Sequence, residues 1–147
     1  MLSLFVVMLG YGILLPTLPY YTERLALKDN LDTDLINFHI GMLTSIYPLF
    51  QLLFVIVWGK LSDKYGRKPI ILLGLVGFVV MNLLTGLATS LSMLYMARII
   101  GGIFTSAVIP VSNAYLSDIT SEKRRTKIMA WSGVAISSGV IFGPVLG

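Results

Sequence analysis

The sequence contains no cysteine, which excludes a disulfide framework and any thiolate metal or redox centre. Charge is scarce: 12% of the residues are Asp, Glu, Lys or Arg, about half of what soluble domains carry. Histidine occurs once, at His39. No cluster has metal-ligand spacing, no nucleophile is paired with a base, and no glycine-rich loop is shaped to cradle phosphate. Enzymatic activity has no positive support, and no metal or cofactor is expected. What is present is apolar, with 56% of the 147 residues hydrophobic. The net charge of +4 lies mostly in two short loops beside apolar runs. That distribution signals membrane topology rather than a nucleic-acid groove, so the lipid bilayer is the expected environment and nucleic acid is not an expected partner.

Met1 to Thr22 is free of charge and long enough to cross a bilayer at about 20 residues per crossing. It lacks the basic n-region and cleavage signal of a signal peptide. No basic residue precedes it, so the true N-terminus is expected further upstream. Leu35 to Trp58 forms a second span. Pro69 to Ala97 is uncharged and longer than one crossing needs, and its least apolar part, Ala88 to Ser92, splits it. The expected helices are about 1–21, 36–58, 69–88, 92–116 and 128–147, in an all-α transmembrane fold. Lys60, Lys64, Arg67 and Lys68 lie between spans 2 and 3, and Lys123, Arg124, Arg125 and Lys127 between spans 4 and 5. The segment between spans 1 and 2 has only Arg24 and Lys28, and its acids outnumber them. Bases favour the cytoplasmic side, which puts the N-terminus and both basic loops inside.

Some positions within the spans are polar. Thr44, Tyr47 and Gln51 fall at i, i+3 and i+7 and share one helix face. They form either hydrogen bonds between helices or the wall of a cavity. His39, near the outer end of its span, suits the interface better than a proton relay. Arg98 is the one formal charge inside an expected span, roughly 9 Å along its helix. Such a charge faces a protein interior or a wet cavity, unless its long stem carries it to the outer surface. In the fifth span Ala135, Gly139, Gly143 and Gly147 recur every fourth residue, a smooth stripe for a partner helix. Pro144 removes a backbone donor beside it.

The stretch from Gly59 to Pro69 joins two spans with one acid among four bases. If Gly59 to Asp63 ends a helix, the two share a face and Gly59 leaves room for another helix. Gly66 suits the left-handed position that ends a helix, and Pro69 the first turn of the next. Gly59, Leu61, Ser62, Asp63, Lys64, Gly66, Arg67 and Lys68 resemble, at fixed spacing, the signature loop G-x-L-[SA]-D-[RK]-x-G-R-[RK] between helices 2 and 3 of the major facilitator superfamily. Leu9 to Pro19 resembles helix 1 of its drug-exporting branch. Arg98 and Gly102 are similar to the R-x-x-x-G motif of helix 4, although the glutamine usual before that glycine is Gly101 here. Gly139, Gly143, Pro144 and Gly147 resemble the antiporter motif of helix 5, which the family uses between its two halves.

The resemblance implies the first five helices of a fold that has twelve in two halves. The expected partner is thus the other half, and the chain is expected to be a fragment or the product of a truncated gene. It also implies a plasma-membrane exporter that moves drugs or other small lipophilic compounds against protons by alternating access. Asp63 and the bases of its loop would latch the cytoplasmic side, and Arg98 would serve proton coupling. Two other readings stay open: a sugar or metabolite facilitator of the same superfamily, and a non-transporting membrane protein that binds partners through its glycine faces.

Overall fold

The structure, a computed structural model, describes residues 2–146. It is all helix and turn: α1 (Leu2–Lys28), α2 (Thr33–Tyr65), α3 (Arg67–Gly86), α4 (Leu91–Thr105), α5 (Val108–Asp118) and α6 (Glu122–Leu146). Together α4 and α5 make one of five spans long and apolar enough to cross a membrane. Many large apolar side chains lie outward, among them Leu52, Ile56, Leu72, Val76 and Leu83, as expected where lipid rather than water is the solvent.

The helices outrun their apolar cores. The first continues through the polar residues 23–28, because Leu25 and Ala26 are buried on its inner face. The second starts at Thr33 and runs to Tyr65, so most of the basic loop is its last two turns. The connection to α3 is Gly66 alone, at φ 97°, a conformation that a Cβ would strain. Pro69 lies in the first turn of α3. The sixth helix begins at Glu122, well before the apolar run.

The fourth span departs from the continuous helix expected over 92–116. It breaks at Ser106 and Ala107, and the cause is Pro110. Proline has no N–H to give the carbonyl four residues earlier, and its ring crowds that carbonyl, which here belongs to Ser106. The Ala107 N–H bonds the Phe104 carbonyl instead, at 3.3 Å. The Ile103 carbonyl accepts from Trp58 Nε1 and Ser106 Oγ, each at 2.6 Å. A break in the apolar interior is tolerated where freed groups find other partners, as the Ile103 carbonyl does here.

The upper half of this span, α4, sits at the centre. It packs on α2 and α3, while α6 lies against α1. A cluster of Val7, Leu14, Tyr47, Phe78, Met81, Ala97 and Val108 ties the first four spans together. Close crossings need residues without side chains. A Cβ on Gly102 would stand 2.7 Å from the Tyr47 carbonyl oxygen, and one on Gly143 2.5 Å from the Gly12 Cα.

Candidate functional site

The chain carries two polar centres, one at the end where α2 meets α3 and one in the interior between α1, α2 and α4. At the first, Gly66 turns the chain so that Arg67 folds back over the end of α2. Its Nη1 is 2.7 Å from Asp63 Oδ1 and donates to Ser62 Oγ, also at 2.7 Å. Its Nε reaches Asp118 Oδ2, at 3.1 Å, on the end of α5. One guanidinium thus links the ends of the second, third and fourth spans. Lys68 points elsewhere, with its ammonium 5.9 Å from the Tyr115 ring centroid. Gly59 has nothing within 4 Å of where its Cβ would be. The helix expected in its crevice is not among the described residues.

The second centre is built on Arg98. The side chain is only 4% exposed, which rules out the path to the outer surface. It takes part in none of the hydrogen bonds or ion pairs among the described residues, and its Nε is buried without a partner. The guanidinium carbon lies 5.8 Å from the Tyr47 ring centroid. Tyr47 stacks on Tyr11 with centroids 5.5 Å apart. Its hydroxyl bonds Thr105 Oγ1 at 2.8 Å, and Gln51 Nε2 donates to the same oxygen at 3.3 Å. Thr105 donates its own proton to the Gly101 carbonyl at 2.6 Å, so it accepts from both neighbours and every lone pair is used.

Thr44, Tyr47 and Gln51 do not act as one group. Tyr47 and Gln51 bridge to α4, whereas Thr44 and Tyr47 face a cavity of about 220 Å³ with Tyr11, Leu18 and Arg98. Gln51 lines a separate one of about 310 Å³ beside the break in the fourth span. Gly102 lets α4 approach the Tyr47 backbone. Gly101 packs on Met81, where a glutamine side chain would have no room. His39 Nδ1 is 2.8 Å from the Tyr95 hydroxyl.

The glycine stripe of α6 is already occupied. Positions for a Cβ on Gly139 lie 2.7 Å from Met8 Cβ and 2.8 Å from the Phe5 carbonyl, and Gly143 crosses Gly12. Its partner among the described residues is α1. Pro144 is exposed beside this seam. Gly147, the last position of the motif, lies outside the described residues.

Sequence reasoning missed Asp118, Thr105 and Tyr11. Thr105 falls at i+7 from Arg98, so the same face-spacing logic could have found it. Asp118 had no local signal, being 51 residues from Arg67.

The described residues form five helices long and apolar enough to cross a membrane, with a buried arginine on an interior cavity. The chain is a member of the Major Facilitator Superfamily, whose model matches residues 1–147. It is 40% identical over 139 residues to the class H tetracycline resistance protein of Pasteurella multocida, covering 95% of this chain and 33% of that protein. It is 34% identical to multidrug resistance protein 2 of Bacillus subtilis, over 99% of this chain and 34% of that one. The structure of the human organic anion transporter MFSD10 (TETRAN) superposes with a TM-score of 0.82 at 28% identity, covering 99% of this chain and 39% of that one. The chain thus spans about a third of the length of the curated relatives that it matches. The family is one of transporters, which is not an enzyme class.

Proposed function

We propose that this chain serves a proton-coupled exporter of drugs and other small lipophilic compounds that works by alternating access in the plasma membrane, with its N-terminus cytoplasmic. The observation that carries the proposal is Arg98: a guanidinium held without a counter-ion on an interior cavity. A charge is costly at that depth and is retained where it serves a substrate or ion path. Moving a proton onto or off a neighbouring group changes the field at the guanidinium and so couples protonation to the cavity. Similarity to tetracycline and multidrug resistance proteins supports drugs as cargo. Asp63, Arg67 and Asp118 sit where the ends of three spans meet, and we assign them the role of the cytoplasmic latch.

The test is efflux of a lipophilic fluorescent dye from cells that express the full-length protein in a background without other pumps. Export should stop when the proton gradient is collapsed. It should fall to background in Arg98→Ala, with membrane insertion unchanged. Gradient-independent export by the wild type, or normal export by the variant, would sink the proposal.

A further inference from the structure

We propose that the cavity between α1, α2 and α4 is a subsite for a carboxylate-bearing ligand. Arg98 takes the carboxylate, and the stacked Tyr11 and Tyr47 form the wall for the ring attached to it. The inference deepens the exporter reading and rests on it for the idea that the cavity receives cargo.

An isolated cation in a low-dielectric interior is far more costly than a paired one, so the structure demands an anion at Arg98. The chain does not supply it. Along α2 the nearest acid to Tyr47 is Asp34, thirteen residues or roughly 20 Å away along the axis and exposed in the first turn, while Asp63, sixteen residues away in the other direction, is held by Arg67 together with Asp118. The nearest acid along α1 is Glu23, an exposed residue one helical turn beyond Pro19 at the cavity rim, and it makes no ion pair among the described residues. The spans offer no other carboxylate near the site.

Guanidinium N–H groups present two parallel donors that match the two oxygens of a carboxylate. Arg98 lines the cavity, and the two Nη groups, unlike the buried Nε, are the donors open to a ligand. Leu15, Leu18 and Pro19 close the cavity with apolar surface, and the tyrosine faces suit a planar ring. At about 220 Å³ it lies below the range for a whole drug-sized ligand, so it fits one acid-bearing end of a compound. A ligand with a neutral group there would leave the cation buried and unpaired, which discriminates against it.

The experiment is equilibrium binding of 1-naphthoate and 1-naphthamide, two probes of one shape that differ in charge, to the purified full-length protein with no proton gradient. The naphthoate should bind at least about tenfold tighter, as expected for a charged hydrogen-bonded pair. Arg98→Gln should erase that preference and leave the amide unchanged. Arg98→Lys keeps the charge and loses the fork, so it should retain part of the preference. It also supplies the answer if the glutamine variant does not fold. Equal binding of the two probes by the wild type would overturn the proposal, as would an undiminished preference in Arg98→Lys. So would an Arg98→Gln variant weakened equally for both, because the anion would then be a carboxylate of the protein itself. Because the assay needs no gradient, failed dye export with an intact naphthoate preference would sink the exporter reading alone.

Discussion

Arg67 holds two carboxylates and a hydroxyl at once, and all three partners are at helix ends. Its side chain is 25% exposed, and those of Asp63 and Asp118 are 67% and 57% exposed. Ion pairs this wet are worth about 0–1 kcal/mol each, so they contribute little to folding. If the cluster is a latch, its substitution should act on transport instead. Asp118→Asn removes one arm, and Arg67→Lys replaces the fork with a point charge that cannot span both acids. Each should lower dye export several-fold while moving the melting temperature by only a few degrees at most. Unchanged turnover in both variants would argue against the latch, and a large fall in melting temperature would assign the cluster to stability. That Asp63 meets bases of its own loop was implied by the resemblance, and the turn at Gly66 brings Arg67 back to it. Asp118 was not legible in the sequence, because only the packing of the fourth span against the third brings it there.

At the scale of helices, the same division follows from what each signal depends on. The five spans could be read from runs without charge, since lipid punishes charge wherever it falls along a helix. Their ends could not, because polar residues such as those of 23–28 continue a helix at little cost once they are beyond the apolar layer. The break in the fourth span hinged on Pro110, a residue whose effect appears four positions away. The glycine stripe of α6 was legible as a seam, but its occupant was not. Periodicity places small residues on one face without naming the helix that fills it. The seam carries its own prediction. A methyl on Gly143 would meet backbone of Gly12 at 2.5 Å, and backbone cannot turn aside as a side chain can. Gly143→Ala should force α1 and α6 apart, costing about 1–3 kcal/mol as an overpacked contact. Gly133, on the same helix, has nothing within 4 Å. Gly133→Ala should be neutral or stabilise by about 0.5–1 kcal/mol through helix propensity. Thermal melting of the two variants in detergent checks the contrast. Equal shifts would mean that the seam does not hold α6.

For the whole molecule, the question is which way the bundle faces. The Arg67 cluster and the basic start of α6 lie at one end, and the acidic segment between α1 and α2 lies at the other, since alternate spans reverse direction. Bases beside short connections are retained on the cytoplasmic side, so in the proposed orientation the Arg67 cluster faces the cytoplasm. The Arg98 cavity then opens nearer the external end, because Arg98 is seven residues, roughly 10 Å, from the start of α4 beside the outer turn. The chain has no cysteine, so in a full-length protein cleared of any other cysteine a single introduced one reports the orientation. Asp29 and Lys123 are both exposed and neither takes part in an ion pair among the described residues, so a cysteine at either place disturbs little. In intact cells a membrane-impermeant maleimide should label Asp29→Cys at once, and Lys123→Cys only after permeabilisation. The opposite pattern would turn the molecule over. Arg67 and its acids would then face outward, where they could not close a cytoplasmic gate, and the Arg98 cavity would lie nearer the cytoplasm. Labelling of both sites in intact cells would mean that one of the three spans between them, or all three, does not cross, since three full crossings put Asp29 and Lys123 on opposite sides.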